Sequence, residues 1–310
     1  MENYVRPLLL PNRHLETIYP SLFRKVELQS YQRERIETPD KDFLDLDFLR
    51  QGASHLVILS HGLEGNTERS YIKGMAKAFF AKGFDVLAWN YRGCSEEMNR
   101  QPRFYHSGAT EDLKTVIEKV YPTYQSISLV GFSLGGNLTL KFLGEIGTSY
   151  KKLTTAVVFS VPLDLHTSCM EIMKPSNWIY HQRFLKSLKT KVLQKSTQQP
   201  AIRVDHLHRV KTLMEFDDHF TAPIHGFADA IDYYSCSSSI HFLKAIKTNT
   251  LIVNAKNDPF LSRECFPDLK DHTFVRTEYP LHGGHVGFAH FDENGLYWSE
   301  MRALDFIYKT

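Results

Sequence analysis

The chain has 310 residues, 42% of them hydrophobic and 13% aromatic, with 23% charged and a formal net charge of +2. That composition supplies a large apolar core and excludes a predominantly disordered chain. The near-neutral charge excludes the basic footprint of a nucleic-acid-binding protein. Lysines and arginines gather only modestly, in Lys186–Lys195 and Arg203–Lys211, and read as a solvated helix face.

The first forty residues are punctuated by Pro7, Pro11, Pro20 and Pro39 and read as an N-terminal surface arm. Leu8-Leu9-Leu10 is too short for an export signal, and no apolar run reaches the eighteen or so residues of a membrane span. The four cysteines, at 94, 169, 236 and 265, form no close pair and fit free thiols in a reducing compartment. A soluble cytoplasmic protein is therefore expected, with peripheral membrane contact left open.

From residue 41 the elements follow in order. Asp42 to Leu49 alternates acidic and apolar residues, the pattern of a half-exposed strand. Leu56–Ser60 is a short apolar run, as in a strand buried on both faces. Ile72, Met75, Ala76, Phe79 and Phe80 recur at helical spacing, and Gly83 is the expected C-cap. Phe84–Trp89 predicts a strand, Leu113–Val120 a helix stopped by Pro122, Ile127–Val130 a strand, and Gly135–Gly147 a helix. Ala156–Phe159 is a further strand. This strand–helix rhythm predicts an α/β fold: a mostly parallel sheet with helices on both faces.

The rhythm breaks over 163–221, which is too long for an ordinary loop and reads as an inserted helical cap. It resumes with strands at Leu251–Val253 and Thr273–Val275, and Leu296 to Ile307 forms a last amphipathic helix. The core would thus comprise 41–162 and 222–310 of a single domain. Asn137-Leu138-Thr139 fits the glycosylation pattern but falls in a predicted buried helix and is discounted.

Gly131-Phe132-Ser133-Leu134-Gly135 is a G-x-S-x-G motif set between a predicted strand and a predicted helix. That context marks a nucleophile elbow of the α/β-hydrolase fold: a sharp turn that lifts the Ser133 hydroxyl above the sheet edge. In this fold the oxyanion is met by two backbone N–H groups. Leu134, after the nucleophile, and Leu63, in His61-Gly62-Leu63-Glu64-Gly65 after the Leu56–Ser60 strand, are the candidates. His61 is read as a ring pinning that loop. The fold's order of Ser, acid, His puts the base late in the chain, and the glycine-rich loop between the last predicted strand and the last helix favours His285 over His282 and His290. Asp258, in the Asn-Asp-Pro-Phe turn after the Leu251 strand, is preferred as orienting acid over Asp164. His282, His285, His290 and Asp292 match no standard zinc spacing. No metal or organic cofactor is implied.

With these residues in place the chain resembles the YheT-like branch of the α/β-hydrolases, which includes plant embryogenesis-associated proteins and several eukaryotic esterases. His14 to Pro20 is similar to that family's H-L-Q-T-I-x-P, and His61 to Gly65 is its H-G-L-E-G. Asn90 to Ser95, Tyr105 to Gly108, Gly131 to Asn137, Phe216 to Pro223 and Asp232 to Tyr234 match further motifs in the same order. Asn257 departs from the family's usual second Asp before D-P-F. The resemblance implies a carboxylic-ester hydrolase of small-molecule or lipid esters, with Ser133, Asp258 and His285 on the triad positions. Two alternatives share the scaffold: an acyltransferase using the same triad, and a non-enzymatic binding protein. Arg92 and Asp112 are expected to brace loops near the site, Asp217 and Asp218 to anchor the cap, and Met170, Met173, Trp178, Ile179 and Phe184 to wall it.

Overall fold

A computed structural model describes residues 4–291 and 295–309. Eight strands form one sheet: β1 (Gln32–Glu37), β2 (Phe43–Leu49), β3 (His55–Ser60), β4 (Asp85–Asn90), β5 (Ser126–Phe132), β6 (Leu153–Phe159), β7 (Asn249–Val253) and β8 (Val275–Glu278). Their spatial order is β1-β2-β4-β3-β5-β6-β7-β8. The first two neighbour pairs are antiparallel and all the others parallel. The helices are α1 (Arg13–Phe23), α2 (Ser70–Phe80), α3 (Thr110–Val120), α4 (Leu134–Ile146), α5 (Leu165–Ile172), α6 (Trp178–Gln198), α7 (Leu213–Phe216), α8 (Ala222–His225), α9 (Ala230–Ser237) and α10 (Trp298–Tyr308).

Alternation along the strands builds the two faces. Leu56 and Ile58 of β3 join Leu113, Val116 and Leu138 of α3 and α4 on one side. Val57 and Leu59 join Met75, Phe79 and Leu304 of α2 and α10 on the other. Parallel strands covered on both faces cannot alternate with polar residues, which is why they read as continuous apolar runs.

The expected half-exposed strand is wholly buried: all seven residues of β2 are out of solvent. The acids that suggested an exposed face are paired. Arg33 of β1 bonds Asp47 at 2.7 Å and Arg35 bonds Asp45 at 2.8 Å, each opposite its partner in register. The first forty residues are likewise more than an arm, since they supply α1 and the sheet-edge strand β1. Gly83 closes α2 as expected: its φ is +87°, its N–H donates to Phe80 O at 3.1 Å and that of Phe84 to Phe79 O at 3.2 Å.

Residues 163–221 are mainly helical and share a third apolar cluster with Phe104, Tyr233 and Tyr234, which lie outside that stretch. The lysines of α6 do not form a uniformly solvated face. Lys195 is fully buried, donating to Asn99 Oδ1 at 3.0 Å. Arg92, also buried, braces its loop through Asp112, Asp40 and Asp42 at 2.7–3.0 Å.

Candidate active site

Ser133 stands at the turn from β5 into α4 with φ +52° and ψ −120°, a conformation that costs a non-glycine residue about 1–3 kcal/mol. The turn is held from below: Ser133 N donates to Phe159 O of the neighbouring strand at 2.9 Å. Its tightness explains the flanking glycines. A Cβ on Gly131 would sit 2.5 Å from Gly135 O, and one on Gly135 would strike Ser60 O.

His285 arrives from the loop between β8 and α10. Its Nε2 lies 3.0 Å from Ser133 Oγ, and its Nδ1 lies 2.9 Å and 3.1 Å from the two Asp258 oxygens. The Asp258 carboxylate is fully buried and also accepts from Phe260 N at 2.9 Å, so its orientation is set twice. The Asp-Pro turn is clamped from the cap, where Asn177 Nδ2 donates to Pro259 O at 2.6 Å. With Nδ1–H donated to the carboxylate, Nε2 is left with a lone pair toward the serine hydroxyl. The rival acid, Asp164, caps α5 by accepting from Thr167 N at 2.9 Å and makes no bond to His285. The rival His282 is partly exposed and lies 3.5 Å from Asn257 Nδ2. Asp292 lies outside the described residues. Among those residues no three His, Cys, Asp or Glu side chains converge as metal ligands.

The loop after β3 passes beside the serine, since a Cβ on Gly62 would approach Ser133 Cβ to 3.2 Å. Gly62 N donates to Tyr71 Oη at 3.0 Å and Glu64 N to Tyr105 Oη at 2.8 Å. Between them, Leu63 N has no protein acceptor among the described residues, and neither has Leu134 N. His61 is buried, with Nδ1 2.8 Å from Gly62 O and Nε2 accepting from Tyr91 N at 3.3 Å. Burial pushes its pKa down to about 3, so it is neutral and structural.

Several supporting residues escape sequence reasoning because their partners are far along the chain. Thr17 Oγ1 of α1 accepts from His285 N at 2.9 Å, and Glu16 accepts from Gly283 N. Asn257 Nδ2 donates to Glu16 Oε1 at 3.2 Å while its Oδ1 accepts from Gly284 N at 3.1 Å. The departure at Asn257 is thus matched. The Gln and Asp that the resemblance implies at these two positions would make the same contact with donor and acceptor exchanged, and the H-L-x-T motif was the available signal. Glu64 is the second case. Burial pushes its pKa up, but Lys191 at 2.6 Å, with the Ser187 and Tyr105 hydroxyls, outweighs that and holds it below the usual range. A cap helix thereby anchors the loop that carries Leu63.

Two cavities meet at Ser133 and His285, and both touch Leu63, Phe184 and Phe260. One runs under the cap among Leu165, Ile172, Leu188, Val192, Phe220 and Ile224. The other opens between α1 and α6. Of the expected cap wall, Phe184 lines both. Ile179, though 66% exposed, lines the second, and Met173 packs against the cap cluster; Met170 and Trp178 are instead 46% and 61% exposed, because the inward stripe of each helix falls on neighbouring positions. Asp217 lies at the floor of the apolar cavity, accepting from Tyr234 Oη and Thr221 Oγ1, each at 2.6 Å. Burial pushes its pKa up to about 6, because the part of it not covered by protein faces the cavity and not bulk water.

The Hydrolase_4 family, described as serine aminopeptidase S33, matches residues 51–269. The YheT protein of Escherichia coli K12, whose name marks it as an esterase, is 36% identical over 89% of this chain and 84% of its own. Phospholipase ABHD3 of Bos taurus is 30% identical over 95% of this chain and 74% of its own. The solved Pyrococcus furiosus esterase Pf2001 shares the fold, with a TM-score of 0.59 at 17% identity over 92% of this chain and 97% of that one. The chain belongs to the α/β-hydrolase superfamily, in the YheT branch, and is an esterase- and lipase-like serine hydrolase.

Proposed function

We propose that the chain hydrolyses carboxylic esters through an acyl-enzyme on Ser133, with His285 as base and Asp258 as its orienting acid. The carrying observation is the hydrogen-bond chain from Ser133 Oγ through His285 to a buried Asp258, standing where two cavities meet.

In the first step His285 Nε2 takes the hydroxyl proton while Ser133 Oγ bonds the ester carbonyl carbon. The carbonyl oxygen becomes an oxyanion facing the N–H groups of Leu63 and Leu134, a pair of donors each worth about 3 kcal/mol in such sites. Asp258 stabilises the imidazolium. Collapse breaks the bond to the leaving alkoxide, which takes the proton from Nε2. Water then gives a proton to Nε2 and attacks the acyl carbon, releasing the acid and restoring the serine.

The apolar cavity beneath the cap suits the acyl chain, and the groove between α1 and α6 suits the alcohol. The substrate class is a small-molecule or lipid ester, and the protein acts on it in the cytoplasm. Fluorophosphonate labelling and turnover of p-nitrophenyl esters from acetyl to palmitoyl test this, using the wild type and Ser133→Ala. Labelling and turnover lost in the variant, with a chain-length optimum in the wild type, are expected. Folded wild type that neither labels nor turns over sinks the mechanism.

A further inference from the structure

Helix α1 is inside out. Its polar residues Glu16 and Thr17 are buried against the His285 loop, whereas Leu15, Tyr19, Leu22 and Phe23 are 42%, 36%, 63% and 65% exposed. Positions 15, 19 and 22 fall on one helical stripe, so the exposure is a face and not a scatter. Across the groove, α6 begins with the exposed Trp178 and Ile179. Leu22 and Ile179 line the same cavity that reaches Ser133, so two apolar edges from distant parts of the chain frame one mouth.

That mouth also carries positive charge. The groove lining holds Arg24, Arg69, Arg183 and one carboxylate, Glu64. Arg24 is neutralised by Glu300, and Glu64 by Lys191. Arg69 and Arg183 have no carboxylate partner among the described residues, and neither has Lys25 just beyond α1.

We propose that this rim is a docking surface for a lipid bilayer bearing anionic headgroups. Exposed aromatic and aliphatic side chains beside uncompensated cations are the chemistry that seats a protein in the headgroup–acyl boundary. Docked this way, the mouth opens onto the bilayer, and an ester can enter without crossing water. A second copy of the chain fits less well, because a twofold contact would set the same unpaired arginines against their mates. The buried side of α1 meanwhile holds His285 N and Gly283 N, so the inserted helix and the catalytic loop form one unit. Entry of substrate from the bilayer rests on the ester-hydrolase reading; docking itself does not.

The test is co-sedimentation with phosphatidylcholine vesicles, with and without phosphatidylglycerol, alongside Trp178 fluorescence. Trp89 and Trp298 are buried, so Trp178 is the reporter of the surface. The wild type is expected to bind the anionic vesicles, with a blue shift and weakening in high salt. The double variant Phe23→Ser and Trp178→Ser, whose residues line neither cavity, is expected to lose binding by at least about tenfold. It should still hydrolyse soluble p-nitrophenyl acetate at the wild-type rate. Lys25→Glu should weaken binding to anionic vesicles alone. No binding by wild type, or equal binding by the double variant, overturns the proposal. So does a dimer in light scattering that the same variant dissolves. Vesicle binding by a wild type inert toward p-nitrophenyl acetate would instead uphold docking and remove the hydrolase reading.

Discussion

Replacing Asn257 by Asp alone should damage the protein, although Asp is the residue usual in its relatives. Asn257 Nδ2 donates to Glu16 at 3.2 Å and 3.3 Å; in the variant, a carboxylate oxygen would face another across that gap. At an effective dielectric of about 20, two unit charges that close repel by about 5 kcal/mol. Proton uptake limits the cost. Neutralising one carboxyl of ordinary pKa near 4 at pH 7 costs about 4 kcal/mol, at 1.36 kcal/mol per unit. Arg6, 3.9 Å from Glu16, softens it further, so about 2–4 kcal/mol is expected at pH 7. The folded variant then holds a proton that the unfolded chain lacks, so its stability falls as pH rises above about 4. The Gly283–Gly284 loop hangs from these two side chains, and kcat on p-nitrophenyl esters should fall about tenfold or more. Adding Glu16→Gln restores a donor opposite the new carboxylate and should recover most of both losses. Urea unfolding at pH 5 and 8, with turnover on all four members of the cycle, reads the coupling. A single variant within about 0.5 kcal/mol of wild type, or a double variant no better than the single, would refute the exchanged pair.

Asp258→Asn should keep the fold and lower kcat by about 10⁴, because the amide neither selects the Nδ1–H tautomer nor stabilises the imidazolium; near-normal turnover would remove Asp258 from its role. Lys191→Met should cost about 3 kcal/mol at pH 7 by stranding Glu64, and lower kcat through the Leu63 loop. Glu64 titrates below the usual range in the native state, so the stability its pairing gives is present at neutral pH and lost as pH falls through that lowered pKa; the gap between wild type and variant should close on acidification. Asp217 has the opposite sign. Its pKa is raised to about 6 from 3.8, so stability present below about pH 4 is lost as pH rises through 6. Asp217→Asn should therefore raise stability by up to about 3 kcal/mol at pH 7 and hardly at all at pH 4, as read by thermal melts at both.

The strand-to-helix turn that carries Ser133 was legible because it is local. A strained turn between an apolar run and a helical stripe needs its glycines at fixed offsets, and Gly131 and Gly135 mark Ser133 without reference to the rest of the chain. The apolar strands were legible for the same reason, since burial on both faces leaves no room for alternation. Burial of β2 was not, because the salt bridges that hide Asp45 and Asp47 come from a strand that had read as arm. Nor was the inversion of α1: its pattern is amphipathic either way round, and only packing chose the polar face for the His285 loop. The cap lining likewise depended on how α6 rolls over the cavity, which turned Phe184 inward and Trp178 out. Spacing along the chain determines which residues share a face. Which face is buried is decided by the partner that arrives, and here Gly283, His285 and Ser187 reach Glu16, Thr17 and Glu64 from more than a hundred residues away.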